Sequence, residues 1–199
     1  MMHLKALFLC VVTAMMAQAA GPVLVLIGPP ASGKTTQTGL LSKELKIPVI
    51  SADELIAGNA GQLSNAKSPT IQGMEPRVDP AMNRLIEDKL RSMDLSNGVI
   101  LDGYPAAKIQ GDHLTSLVRE LSLPKPVIIH LKVPDDVVKK RLKGEPPAGV
   151  EQRLKDYHRE LDFVRVYFPE ADIHDVDGTG KRGSIAKEIR KIVQAKGKS

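Results

Sequence analysis

Apolar runs and helically spaced stretches alternate along this chain. Val23 to Ile27 is continuously apolar, and Lys34 to Lys46 (KTTQTGLLSKELK) follows with helix-forming residues whose apolar positions share one face. Short apolar runs recur at Ile47-Pro48-Val49-Ile50, Val99-Ile100-Leu101, Val127 to Leu131 and Ile173 to Val176. Between them Asp79 to Met93, Ala107 to Leu121, Pro134 to Lys143, Val150 to Phe168 and Lys181 to Ala195 carry helical spacing, several opened by Asp or Pro. Strands alternating with helices in this way predict an α/β fold, a parallel five-stranded sheet covered by helices on both faces. Ligands of such sheets sit beyond the carboxyl ends of the strands. One segment resists the alternation: Ala57 to Pro76 (AGNAGQLSNAKSPTIQGMEP) is rich in Gly, Ser, Asn and Pro and predicts a loop or small insert within 51–80.

The junction between the first strand and first helix is Gly28-Pro29-Pro30-Ala31-Ser32-Gly33-Lys34-Thr35, a P-loop pattern in the strand-to-helix context the motif requires. Glycines at both ends let the loop wrap back, so that backbone N–H groups and the helix N-terminus point at one anion. Lys34 adds a mobile positive charge for β- and γ-phosphates, and the Thr35 hydroxyl can hold Mg²⁺. The fold class is therefore narrowed to the P-loop NTPase type.

With 199 residues the chain has the length of one domain, 21–199, after a distinct leader. Aromatic residues are only 3% and Trp is absent, so the core must be built from Val, Ile, Leu, Ala and Met. The net charge of +5 suits a protein that grips polyphosphate. In residues 1–20 one Lys precedes the apolar run Ala6 to Met16, and Ala17-Gln18-Ala19 follows as an A-x-A site, the pattern of a secretory signal peptide. Export to a periplasmic or extracellular location is the expectation, with a cytoplasmic start at Met15 or Met16, or an uncleaved tether, as the alternatives. The run is too short for a stable membrane anchor. The single cysteine, Cys10, lies inside it, which excludes disulfides and Cys-ligated metal from the rest of the chain. His113, His130, His158 and His174 are dispersed and predict helix-surface or strand-end side chains without a metal site. The basic end, Lys181 to Lys198, carries seven Lys and Arg against one Glu; without interleaved aromatics it predicts a frayed, solvated helix and no nucleic-acid partner.

Gly28 to Gln37 (GPPASGKTTQ), Ile50 to Leu55 (ISADEL), Leu101 to Pro105 (LDGYP), Gln110 and Arg153 to Tyr157 (RLKDY) together resemble the adenylate kinase family of nucleoside monophosphate kinases, over nearly all of Val23 to Lys191. The resemblance implies that Gly28, Ala31, Ser32, Gly33, Lys34, Thr35 and Thr36 hold the ATP phosphates, and that Gly178 meets the adenine. It implies that Arg141 and Arg153 join Lys34 in neutralising the transferring phosphoryl group. Asp102 would act with Thr35 at Mg²⁺. Ser51, Gly103, Tyr104, Pro105 and Gln110 would form the acceptor site, Gln110 favouring AMP because an amide both donates to and accepts from adenine. The family also leans towards a monomer, and the 51–80 insert would lie on its acceptor side.

The departures from the family are equally specific. Ala57 and Ala106 stand where the family carries phosphate-binding arginines, and 142–152 (LKGEPPAGVEQ), the place of the ATP-side lid, is short and contains none. Arg77, Lys108 and Lys143 are candidate substitutes, although an ammonium is a point charge and not a bidentate fork. The leading expectation is Mg-ATP plus nucleoside monophosphate giving ADP plus nucleoside diphosphate. The alternatives are a nucleotide-binding protein with little turnover and a P-loop kinase of a non-nucleotide small molecule.

Overall fold

β1 (Val23–Ile27) occupies the centre of a five-stranded sheet whose order is β2-β3-β1-β4-β5, all pairs parallel. The other strands are β2 (Val49–Ser51), β3 (Val99–Asp102), β4 (Val127–Lys132) and β5 (Ile173–Asp177). The helices are α1 (Lys34–Leu45), α2 (Ala52–Gly58), α3 (Pro80–Ser92), α4 (Lys108–Glu120), α5 (Asp135–Arg141), α6 (Pro147–Tyr167) and α7 (Arg182–Lys196). The structure is a computed structural model that describes residues 20–59, 80–168 and 173–196. The leader, residues 60–79 with Arg77, and hence most of the 57–76 segment, lie outside the described residues.

Because β-strand side chains alternate, each apolar strand buries two faces. Val23, Val25, Leu101 and Ile128 pack under Ile86 and Leu90 of α3, Leu114 of α4 and Val164 of α6. Leu24, Leu26, Ile129 and Leu131 pack on the opposite side under Leu41 of α1 and Ile185, Ile189 and Val193 of α7. A smaller cluster joins Val133 and Val138 to Val150 and Leu154, seating the start of α6 on α5. The predicted α/β sheet with helices on both faces is the fold observed.

Local differences have local causes. The predicted strand 47–50 is shifted to Val49–Ser51, since Pro48 has no N–H to give a ladder. Ala57 and Gly58 end helix α2, which loop-like composition concealed. That helix is started by Ser51, whose Oγ accepts from the Glu54 N–H at 3.3 Å, and by Asp53 and Glu54 in its first turn. α6 begins at Pro147 rather than Val150, because proline at the first helical position has the required φ and no N–H to waste. Only the five residues 142–146 therefore separate α5 from α6.

The expectation of a frayed, solvated helix at the basic end is corrected. Ile185, Ala186, Ile189 and Val193 form a buried stripe against α1 and β5, leaving the lysines outside, and Arg190 pairs with Glu44 at 2.6 Å. Ile189→Ala is expected to cost about 2–4 kcal/mol in denaturant unfolding. A frayed helix would lose less than about 0.5 kcal/mol.

Candidate functional site

The P-loop leaves β1 through Gly28, where a Cβ would meet Leu131 O and Ser32 Oγ at 2.9 Å each. Only glycine can make that exit. At the other end Gly33 has φ +95° and is the N-cap of α1. No side chain caps α1, and its first turn contains no acidic residue. Its positive end is thus open to an anion. Ser32 Oγ is buried with no hydrogen-bond partner, and Lys34 Nζ donates to Gly28 O at 2.6 Å and Pro29 O at 3.1 Å. An orphaned donor beside an ammonium folded onto its own loop is the chemistry a phosphate would complete.

Two clefts meet at Lys34. The larger, about 550 Å³, is lined by Ala31, Ser32, Gly33, Lys34, Thr35, Thr36, Gln37, Arg141, Gly178, Gly180, Arg182 and Ile185. All the residues expected at ATP lie there except Gly28, which lines the other cleft. Arg141 Nη1 donates to Ala31 O at 2.9 Å and Nη2 to Gly178 O at 3.0 Å, so one guanidinium joins the P-loop to the turn after β5. Gly178 has no space for a side chain, a Cβ meeting Val133 Cγ2 at 2.6 Å.

The second cleft, about 290 Å³, contains Gly28, Lys34, Asp53, Asp102, Gly103, Tyr104, Pro105, Ala106, Arg153, Asp156, Tyr157 and Glu160 among its walls. Asp102 ends β3 and lies in register between Ser51 and Leu26. Burial pushes its carboxyl above the usual range, against the pull of the Lys34 ammonium; Asp53 and Glu54 push the same way as burial. Arg153 reaches this cleft while ion-paired with Glu145 in the 142–146 turn. Ala106 also lines it, and among the described residues neither candidate substitute replaces the expected arginine there: Lys108 is mostly exposed and pairs with Asp112 at 3.1 Å, and Lys143 lines neither cleft.

Two expected acceptor residues take other places. Ser51 caps α2. Gln110 is wholly buried, and its Oε1 accepts from the Ala106 N–H at 2.8 Å. It braces the Gly103–Ala106 loop from behind instead of lining the cleft. Tyr104 is buried on the same loop, with its hydroxyl within 3.0 Å of Asn83 Oδ1, 3.2 Å of Gln110 O and 3.0 Å of His113 Nδ1.

The histidines are less bland than their spacing suggests. His113 links Tyr104 to Glu87, and His158 pairs with Asp135. His130 is buried, with Nδ1 2.7 Å from Asp175 and Nε2 2.6 Å from the Tyr157 hydroxyl. Its one signal in the sequence is a polar residue inside an apolar strand run. Among the described residues no group of three or more His, Cys, Asp or Glu side chains could hold a metal, and no helix is long and apolar enough to cross a membrane.

The adenylate kinase family model matches residues 26–173. The adenylate kinase of Micrococcus luteus is 30% identical over 189 residues, covering 85% of this chain and 89% of that protein. That of Xylella fastidiosa is 31% identical over 179 residues, covering 83% and 96%. With a P-loop at the head of the central strand and an Asp-Gly-Tyr-Pro loop across the cleft from it, the chain belongs to the adenylate kinase family, and is a phosphotransferase of the nucleoside monophosphate kinase kind.

Proposed function

We propose that this chain moves the γ-phosphoryl group of ATP onto the phosphate of a nucleoside monophosphate, with AMP as the first acceptor to try. The observation that carries the reading is Lys34, which lines both clefts and can therefore follow a phosphoryl group between a donor on one side and an acceptor on the other. The P-loop residues Ala31 to Thr36 and Arg141 are assigned to the donor phosphates, and Gly178 to the donor base. Gly103, Tyr104, Pro105 and Arg153 are assigned to the acceptor. Gln110 supports the acceptor through Ala106. AMP rests on the names of the relatives, since Gln110 does not reach the cleft. In-line transfer asks the protein for positioning and charge neutralisation more than for covalent chemistry.

The donor set fits a magnesium ion that brings most of its ligands with the nucleotide: one hydroxyl, Thr35, and one carboxylate, Asp102, stand at the P-loop end of the sheet. Bound there, Mg²⁺ would neutralise phosphate charge. A second reading, nucleotide binding with slow turnover, is favoured by Ala106 in the acceptor cleft and by the Glu145 carboxylate already occupying Arg153.

Coupled ADP production with Mg-ATP and each common monophosphate tests the proposal. AMP-dependent turnover is expected, and Lys34→Ala is expected to lower it by roughly 100-fold or more. No diphosphate from any acceptor, with ATP still bound, would select the second reading. Asp102 gives a further test. A carboxyl raised in the folded state contributes stability below its unfolded pKa and loses it as pH rises through the folded value. Asp102→Asn should therefore unfold at a higher temperature than wild type at pH 7, with the gain shrinking towards pH 4, while turnover falls by roughly 100-fold.

A further inference from the structure

The long helix α6 touches the body of the protein through apolar contacts at its two ends and through two polar contacts between them, the exposed His158–Asp135 pair and the buried Tyr157 hydroxyl. Val150 and Leu154 seat its start on Val133 and Val138, and Val164 enters the main core near its end. Between Leu154 and Val164 the buried side chain is Tyr157. Its hydroxyl meets His130 Nε2, and His130 Nδ1 meets Asp175 Oδ1. A carboxylate only accepts, so Nδ1 carries the imidazole proton, and Nε2 is left to accept from the phenol. Every member of this chain thus has one role. His130 is in register with Ile27 of β1 on one side and with Asp175 of β5 on the other, immediately before the P-loop and the turn to Gly178.

We propose that the Asp175–His130–Tyr157 hydrogen-bond chain is a positioning device for phosphoryl transfer: it sets α6, and with it Arg153, against the strand ends that carry the P-loop. Arg153 lies one helical turn before Tyr157, and both line the cleft that contains Lys34. The other tie on Arg153 is its pair with Glu145, both about half exposed, and an exposed pair holds little by itself. The guanidinium is consequently placed by the helix, and the middle of the helix by Tyr157, since the neighbouring His158–Asp135 pair is about half exposed and holds little by itself. A misplacement of about 1 Å at such a group costs up to roughly 100-fold in rate.

Protonation follows the same geometry. Burial holds the His130 pKa below its ordinary value; Asp175 opposes that shift, while Arg165 of α6 and Lys132 of β4 add to it. Burial pushes the Tyr157 phenol up to about 12, so it stays a donor. Arg165 on its own helix opposes the rise, whereas Asp135 of α5 and Asp175 of β5 favour it. An imidazolium would have no lone pair on Nε2 and would instead donate to the phenol oxygen, leaving the phenol proton without its acceptor. The device therefore runs from Tyr157 through His130 to Asp175 above the ordinary histidine pKa of about 6.5, and its Tyr157–His130 bond reverses as pH falls through the lower folded value.

The proposal rests on reading this cleft as a phosphoryl-transfer site, and its test has an arm that does not need turnover. Amide hydrogen exchange is measured along the full chain for wild type, Tyr157→Phe and His130→Gln, beside kcat and KM for ATP from pH 5 to 8. Tyr157→Phe should speed exchange over 153–160 by roughly tenfold while β1 and β3 stay protected, and lower kcat about tenfold with KM for ATP within about twofold. His130→Gln keeps an amide donor for Asp175 and an acceptor for Tyr157 but cannot titrate. It should restore wild-type exchange and kcat at pH 7 and flatten the acid limb of the kcat profile. Wild-type exchange in Tyr157→Phe, or an unchanged acid limb in His130→Gln, would overturn the proposal. Absence of turnover in the wild type would count against the phosphoryl-transfer reading alone, with exchange still deciding the role of Tyr157.

Discussion

The close approach of Gly28 to Leu131 is the constraint on which the site depends. The central strand must leave the sheet at a point where β4 backbone and the Ser32 hydroxyl leave no volume for a Cβ. Only with that exit does the loop fold back onto its own lysine and deliver α1, with no side-chain cap, so that its positive end is open to an anion. Strand order then distributes the remaining chemistry. β3 puts Asp102 beside β1 on one side, β4 puts His130 beside it on the other, and β5 supplies the Gly178 turn that Arg141 clasps to Ala31.

Buried polar groups finish what the apolar core begins. The core sets helices onto sheet faces but does not specify a loop to within the tolerance that phosphoryl transfer demands. Around the strand ends that work is done by hydrogen bonds in low-dielectric surroundings: Gln110 to Ala106, Tyr104 to Asn83 and His113, and Tyr157 to His130. Each holds a loop or helix that faces a cleft. Breaking one leaves a buried donor or acceptor unsatisfied, so these contacts specify geometry more sharply than apolar contacts of the same size.

The sheet, its helices and the P-loop were legible because their signals are local: apolar runs of strand length, helical spacing, and a motif whose glycines are required by sterics. Helix α2 was hidden because its end, Ala57 and Gly58, merges into a stretch of loop-like composition, although the Ser51 cap and the acidic first turn announce its start. The packed end helix was hidden by its lysines, which crowd a sequence whose apolar stripe is only one residue in four. The places of Gln110, Tyr104 and His130 depend on partners 4 to 45 residues away, and spacing along the chain carries no such information. The family resemblance named the residues of the site without saying that Gln110 would stand behind the loop it serves.

The two clefts that meet at Lys34 also differ in their linings. One is lined by the P-loop residues around Lys34 together with Arg141, whereas the other contains Ala106 and an Arg153 already paired with Glu145. On this view the rest of the fold serves an anion cradle built on Gly28 and Gly33. It is tested most directly by titration calorimetry of the wild-type protein with Mg-ATP and, separately, with adenosine. Mg-ATP is expected to bind roughly 100-fold tighter, the difference residing in phosphate contacts. Equal affinities would contradict the account, because the base alone would then hold the ligand and the P-loop would be an ordinary turn.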